Sequence, residues 1–348
     1  SDFFSAHSFF DHGISYLRRG HWEEQYDLSL ELFNLAAKCA LMNAEHADLE
    51  MLIQQIMRYA KCFEDKCQAV SISITVLFVS GKMHEGVKAA LSTLKSLGEE
   101  LNQSPWWVPQ LVIDYITPSV VQNHVSQTEA KLAELSDEAF LSYPVMVDPS
   151  KMMAMELLNK LFELVWYAGE HQKLPLIPSK MIQMTLKHGM SPLSALAFVH
   201  YGNCNALINQ NYEEGYRYLK LGLALMKQSP CKMHDCQIIL NSAHTRMHVE
   251  PTQTAVELFL DAFKAAMKSG DTEYAMKCAY HYDVCCFWVG KKLDEIAESM
   301  VETIKQMVFH KNLIMVSAML PIVRLTLRMV GKSTLPEQNS LLCIFGET

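Results

Sequence analysis

Glycine and proline are both scarce in this sequence, 14 and 12 among 348 residues. So few chain breakers, beside 21 methionines, favour helix over a turn-rich β architecture. Basic residues are outnumbered, 30 Lys and Arg against 38 Asp and Glu, for a net charge of −8. That balance argues against a general nucleic-acid or anionic-membrane surface. The ten cysteines include no Cys-x-x-Cys and no regular framework. Those at Cys39, Cys62, Cys204, Cys278, Cys285 and Cys286 fall inside helical patterns, which predicts reduced core residues and a cytoplasmic setting. No signal-peptide pattern is present. The most membrane-like run, 312–330, is interrupted by Pro321, Arg324 and Arg328 and reads as a buried or amphipathic helix. The chain opens on Ser1 and closes on Thr348 without a tail, so the expectation is a segment of a longer polypeptide.

What is present is a helical pattern, clearest over residues 192–226. Leu193, Leu196, Ala197, His200, Cys204, Leu207 and Ile208 recur at helical spacing, and Asn209, Gln210 and Asn211 interrupt them. Tyr212, Gly215, Tyr216, Leu219, Leu223 and Met226 begin a second stripe. Two helices joined by about three residues must run antiparallel. Gly215 and Gly222 each cost about 1 kcal/mol of helix propensity against alanine, a cost that close approach of another backbone would justify. Such a hairpin cannot cover its own apolar surface and needs neighbours of its kind.

A degenerate repeat supplies them. Gly20-His-Trp22-Glu-Glu24, Gly81-Lys-Met83-His-Glu85, Gln210-Asn-Tyr212-Glu-Glu214 and Lys291-Lys-Leu293-Asp-Glu295 share one design, and 270–275 is a looser relative. A breaker ends one helix, a large apolar residue plugs the hairpin, and acids open the next helix at its positive end. The pattern predicts an all-α fold, a right-handed superhelix of antiparallel hairpins of the tetratricopeptide-like kind. Further helices are expected over 3–17, from Trp22 onward in one piece, and over 48–62, 65–80, 81–97, 151–167 and 177–188. Others follow over 235–248, 252–269, 273–288, 293–310 and 313–330. The β-branched stretch 71–79 could be a strand in isolation, but its helical flanks favour helix. Residues 101–150 carry Pro105, Trp106, Trp107, Pro109, Pro118, Pro144 and Pro149 and a polar stretch. They read as an irregular bridge between hairpin lobes at 1–100 and 151–348.

The segments 20–39, 95–98, His188-Gly189-x-Ser191 with Ser194-Ala195, Tyr201-Gly202, 212–225, 269–275 and Phe345-Gly346-Glu347 carry a family likeness. Together they resemble the tetratricopeptide-like helical region of multidomain signalling ATPases of the AAA/STAND type, related to origin-recognition ATPases. The resemblance implies neighbouring Ser/Thr kinase, ATPase, GAF and histidine-kinase domains. It also implies ATP in the neighbouring ATPase and no cofactor in this region. None of that family's catalytic motifs falls within these residues.

Candidate chemistry is sparse. Gly331-Lys332-Ser333-Thr334 looks like the end of a phosphate-binding loop. The motif needs a glycine where Thr326 stands, so a helix C-cap is the plain reading. Cys231, His234 and Cys236, with His244 and His248 at i and i+4, offer zinc ligands without the usual matched second pair. His281 and Asp283 beside Cys278, Cys285 and Cys286 suggest a thiol nucleophile, but one helix would point several of them apart. His200 reads as a hydrogen-bonded core histidine, and the methionines of 151–155 and 181–190 as core. Asn102-Gln-Ser104 matches a glycosylation acceptor without meaning in a cytosolic chain. Trp106-Trp107 reads as a hinge plug or docking anchor.

The expectation is therefore a non-catalytic region that binds a protein partner or adjacent domains of its own chain, with no catalytic residue and no metal. Phe198, Tyr201, Asn205 and Asn209 share one stripe of the central hairpin and are the expected binding groove. The alternatives are a metal-dependent or enzymatic domain centred on 231–248, and a purely structural spacer.

Overall fold

A computed structural model describes residues 2–43, 45–101, 110–229, 232, 234–310 and 312–332. Among them are seventeen α-helices, one 3-10 turn and no named strand. The chain divides into two compact units, Ser1–Phe78 with Lys82–His234, and Val79–Gly81 with Asp235–Thr348.

The first unit opens with α1 (Asp2–Ser15), α2 (His21–Glu24), α3 (Tyr26–Met42), α4 (His46–Tyr59) and α5 (Phe63–Val79). The helix expected to run unbroken from Trp22 is two pieces. Gln25 leaves helical geometry at φ −134°, ψ 46°, and Ser29 Oγ donates to its carbonyl at 2.8 Å. Trp22 centres the first core, 5.3 Å from the Tyr59 ring and 5.1 Å from Phe33. Ala36, Ala37, Leu49, Ile56, Ala69 and Ile72 pack in the same cluster. Residues 71–79 are helical, as their flanks suggested. Cys62 lies exposed between α4 and α5 rather than in the core.

After α6 (Met83–Ser96), the expected irregular bridge is instead α7 (Gln110–Ala133) and α8 (Asp137–Leu141). Pro118 stands inside α7 on an exposed position. Beyond it Val121, Val125, Thr128 and Leu132 are buried at i, i+4, i+7 and i+11. That apolar stripe was present among the polar residues and was masked by proline content. α7 packs on α10 (Leu176–His188) and α8 on α12 (Tyr212–Gln228), so 101–150 belongs inside the first unit. The division falls at His234 and Asp235. Pro105, Trp106, Trp107, Pro109 and the 102–104 motif lie outside the described residues.

α9 (Pro149–Tyr167) is capped by Asp148, which accepts from Ser150 N at 2.9 Å, with proline at its start. The central hairpin is α11 (Ser194–Leu207) against α12. A Cβ built on Gly215 would sit 2.7 Å from the Gly202 carbonyl oxygen, and one on Gly222 would sit 2.7 Å from that of Ala195. The two helices therefore meet backbone to backbone, as the glycine spacing predicted.

The second unit holds α13 (Asp235–Arg246), α14 (Gln253–Ser269), α15 (Thr272–Trp288), α16 (Leu293–Phe309) and α17 (Leu313–Met329). Successive helices pack on each other, and α17 also reaches back to α15. Asp271 and Asn312 cap α15 and α17, accepting from Tyr274 N at 3.0 Å and Met315 N at 3.2 Å.

The repeat turns share one backbone device. Gly20, Gly81, Gly270 and Gly290 adopt φ of 87°, 78°, 76° and 76°, and Gln210, at 56°, is the one non-glycine with positive φ among the described residues. The left-handed residue turns the chain out of one helix so that the next can return along it. Acids follow in the first turn at Glu23, Glu24, Glu85, Glu213, Glu214, Asp294 and Glu295. The apolar plug holds at Trp22 and Met83, which are buried. Tyr212 is exposed, and Leu293 is half-buried.

Candidate binding surfaces

The expected groove does not form an open face. Phe198 is 0%, Tyr201 1% and Asn205 5% exposed; Asn209 alone of the four is exposed. α11 is covered all round. α10 and α12 flank it, and Phe140 of α8 meets Phe198 edge-on at 5.1 Å. The Asn205 amide is turned inward and donates to the Tyr201 carbonyl at 3.0 Å. A helix apolar on every side is buried on every side, so its second stripe was core as well. His200 is a core histidine as expected. Its Nε2 lies 3.1 Å from Asn159 Oδ1, and its ring stacks on Phe162 at 3.9 Å. Met155, Met181 and Met184 are buried too.

The more open polar feature of the first unit lies on α9. Glu156 and Lys160 stand at i and i+4 on a half-buried face. The Lys160 ammonium donates to Thr75 Oγ1 of α5 at 2.5 Å. Lys160 and Lys38 of α3 are the charges acting on both Glu156 and His234, so these groups share one neighbourhood. Burial pushes the Glu156 carboxyl up, and the two lysines offset it only in part. Burial, and then the same lysines, push His234 down to about 4, so it is neutral at pH 7. Its Nδ1 is buried and has no hydrogen-bond partner among the described residues. Sequence reasoning missed this cluster because its members lie far apart in the chain. The local signal was the charged pair Glu156 and Lys160, at i and i+4 in a largely apolar helix.

The proposed zinc set does not converge. Cys231 lies outside the described residues, and His234 belongs to the first unit. The Cys236 thiol is buried and pushed up to about 12 by burial and then by Asp271. His244 faces His281 instead, with ring centroids 4.5 Å apart, and His281 stacks on Phe259 at 5.4 Å. Burial pushes His244 down to about 4 and holds His281 well below its ordinary value, which keeps both rings neutral at pH 7. Among the described residues no group of three or more His, Cys, Asp or Glu could hold a metal ion.

The thiol-nucleophile arrangement also comes apart. Asp283 accepts from Ser299 at 2.6 Å and Thr303 at 2.8 Å, both on α16. Burial pushes the Cys278 thiol up, and that of Cys285 up to about 11, so both stay protonated. At the end of α17, Gly331 adopts φ 74° and Lys332 N donates to the Leu327 carbonyl at 2.8 Å. That is a helix C-cap; Ser333 and Thr334 lie outside the described residues. No described helix is long and apolar enough to cross a membrane.

The class defined by these features is an all-α arrangement of antiparallel helix hairpins. No family model matches the chain, and no curated protein matches it. Among solved structures the chain is similar to a signal transduction ATPase with numerous domains that carries a tetratricopeptide repeat sensor, from Pyrococcus horikoshii. The identity is 13% and the TM-score 0.38, over 98% of this chain and 52% of that one. The chain thus spans about half of that protein's length. The apo form of RapI is similar at 11% identity and a TM-score of 0.35, over 95% of this chain and 96% of that one. A circular tandem repeat protein follows at 14% identity and a TM-score of 0.17, over 98% and 79% of the two chains.

Proposed function

We propose that this chain is a non-catalytic regulatory region that captures a protein partner. In a larger signal-transducing ATPase or protein kinase it would couple that capture to the neighbouring domains. The observation that carries the reading is the cluster of half-buried Glu156, Lys160 and His234 with the exposed Lys38 beside them. Its Glu156 carboxyl is held up by burial, and its His234 Nδ1 has no partner among the described residues. A partner that supplies a hydrogen bond to His234 and a charge beside Glu156 gains free energy from groups the chain leaves incompletely satisfied. Differential contact of that partner with two arrangements of the parent protein is the source of any regulation.

The test is affinity capture with the chain as bait, comparing the parent with the Lys38→Ala/Lys160→Ala variant. Folding of both is checked by circular dichroism. A partner held by the parent and lost or weakened tenfold in the variant supports the reading. Equal capture removes the cluster, and no specific partner in either favours a spacer. Metal analysis of the same preparations tests the remaining alternative: stoichiometric zinc would return the 231–248 segment to consideration.

A further inference from the structure

One short stretch of the first unit is not helical, and it is held firmly. Between α8 and α9 the chain is extended, and Val145 forms a parallel bridge with Met190. Met190 N donates to the Pro144 carbonyl at 2.7 Å, and Met146 N donates to the Met190 carbonyl at 2.8 Å. Gly189 lets the strand pass close. A Cβ there would lie 2.7 Å from the Pro144 oxygen and 2.8 Å from Met146 N, and its φ is 100°. Tyr143 Oη donates to the Leu186 carbonyl at 2.8 Å, Phe140 is buried on one side, and Asp148 caps α9 on the other. The segment is therefore pinned at both ends and in the middle.

Backbone groups alternate along a strand. Pro144 and Met146 turn their hydrogen-bonding groups toward Met190. By that alternation Val145 and Val147 turn theirs the other way, and among the described residues they make no backbone–backbone hydrogen bond. The side chains alternate as well. Met146 is 2% exposed, whereas Val145 is 73% and Val147 82% exposed. Two β-branched residues thus stand in water beside an unpaired strand edge, on a backbone already fixed in β geometry. Natural proteins cover, charge or interrupt such edges, because they template a further strand.

We propose that the Val145–Val147 edge is a docking site for a short extended peptide segment of a partner, added as a strand. The free donors and acceptors at strand spacing specify an extended main chain, and the two valines specify small or β-branched apolar side chains on one of its faces. Little ordering of this chain is needed on binding, since the edge is already pinned. The proposal goes beyond the charge-cluster reading and uses different side chains, so either can fail alone.

The probe is a fluorescein-labelled octapeptide of sequence KTVTVTVK, read by fluorescence anisotropy. A second copy of the peptide, N-methylated on alternate amides, keeps the side chains and loses the donors along one edge. The expected result is saturable binding of the first peptide and at least tenfold weaker binding of the methylated one. The Val145→Lys/Val147→Lys variant should also bind at least tenfold more weakly, with an unchanged helical circular dichroism spectrum, because both positions face water. No saturable binding by the parent, or equal binding of both peptides, would overturn the proposal. Sedimentation is run alongside. If the parent dimerises and the variant does not, the edge belongs to a second copy of this chain, and the peptide assignment falls.

Discussion

Replacing Gly215 by alanine should weaken the first unit, although alanine is the better helix former. The new methyl carbon would lie 2.7 Å from the Gly202 carbonyl oxygen, 2.8 Å from Ala206 Cβ and 3.0 Å from Ala206 N. Two of those three atoms are backbone, so no rotamer change relieves the contact and α11 and α12 must part. A gap of about 0.5–1 Å forfeits a quarter to a half of each contact's dispersion energy along the seam. Overpacking of this kind costs about 1–3 kcal/mol. The propensity gain offsets about 1 kcal/mol. The net loss is about 0–2 kcal/mol, centred on about 1 kcal/mol, which at a slope of about 2 kcal/mol/M lowers the urea midpoint by about 0.5 M.

The matched control is Gly86→Ala on α6. There the methyl would meet only the far end of Leu164, its Cδ2 at 2.7 Å. A side-chain adjustment costs about 0.5–1.5 kcal/mol. Against the gain in propensity, that variant should be close to neutral. Urea titrations followed by circular dichroism at 222 nm, with fitted slopes compared to confirm a common transition, decide the matter. If Gly215→Ala matches the control or exceeds the parent, close backbone packing is not what requires glycine in this hairpin.

Two further outcomes follow from buried groups. Phe198→Ala should cost about 3–5 kcal/mol, the range for a fully buried aromatic, and should lower the thermal midpoint before it alters any binding. A binding defect in a variant of parental stability would restore Phe198 to a recognition role. Burial raises the Glu99 carboxyl, but hydrogen bonds from Lys151 at 2.8 Å and Lys180 at 2.7 Å, with their charges, outweigh it and hold the group below its usual range. A carboxyl depressed by folding adds stability at neutral pH that is lost as pH falls through its folded value. Glu99→Gln should therefore lose stability at pH 7, by about 2 kcal/mol for two charge-assisted bonds, and show a shallower acid decline than the parent. Parallel stability-versus-pH curves for the two proteins would refute this.

Much of the architecture was legible because it rests on local chemistry. Gly20, Gly81, Gly270 and Gly290 mark turns by the conformation they permit, and the acids after them mark helix starts. Gly215 and Gly222 announced a close hairpin, and α11 and α12 form one, with Gly202 as the facing glycine. The α7 helix was hidden because Pro118 and a polar surface masked the stripe from Val121 to Leu132. The groove assignment failed for a different reason. Periodicity says which residues share a face of α11, but not how many neighbours cover that helix. Phe140, 58 positions earlier, closes over Phe198, and no local pattern records that contact. The α9 cluster is of the same kind, since Lys38, Thr75, Glu156 and His234 meet only when four segments fold together.

The seam between α11 and α12 also bears on where this unit can move. Helices that touch through long side chains can slide by exchanging rotamers. Here carbonyl oxygens lie against α-carbons, and such a joint offers no intermediate positions. Amides near Gly202 and Gly215 would then exchange with solvent only when the whole unit opens, leaving this pair as the stiff spine about which any bending elsewhere takes place.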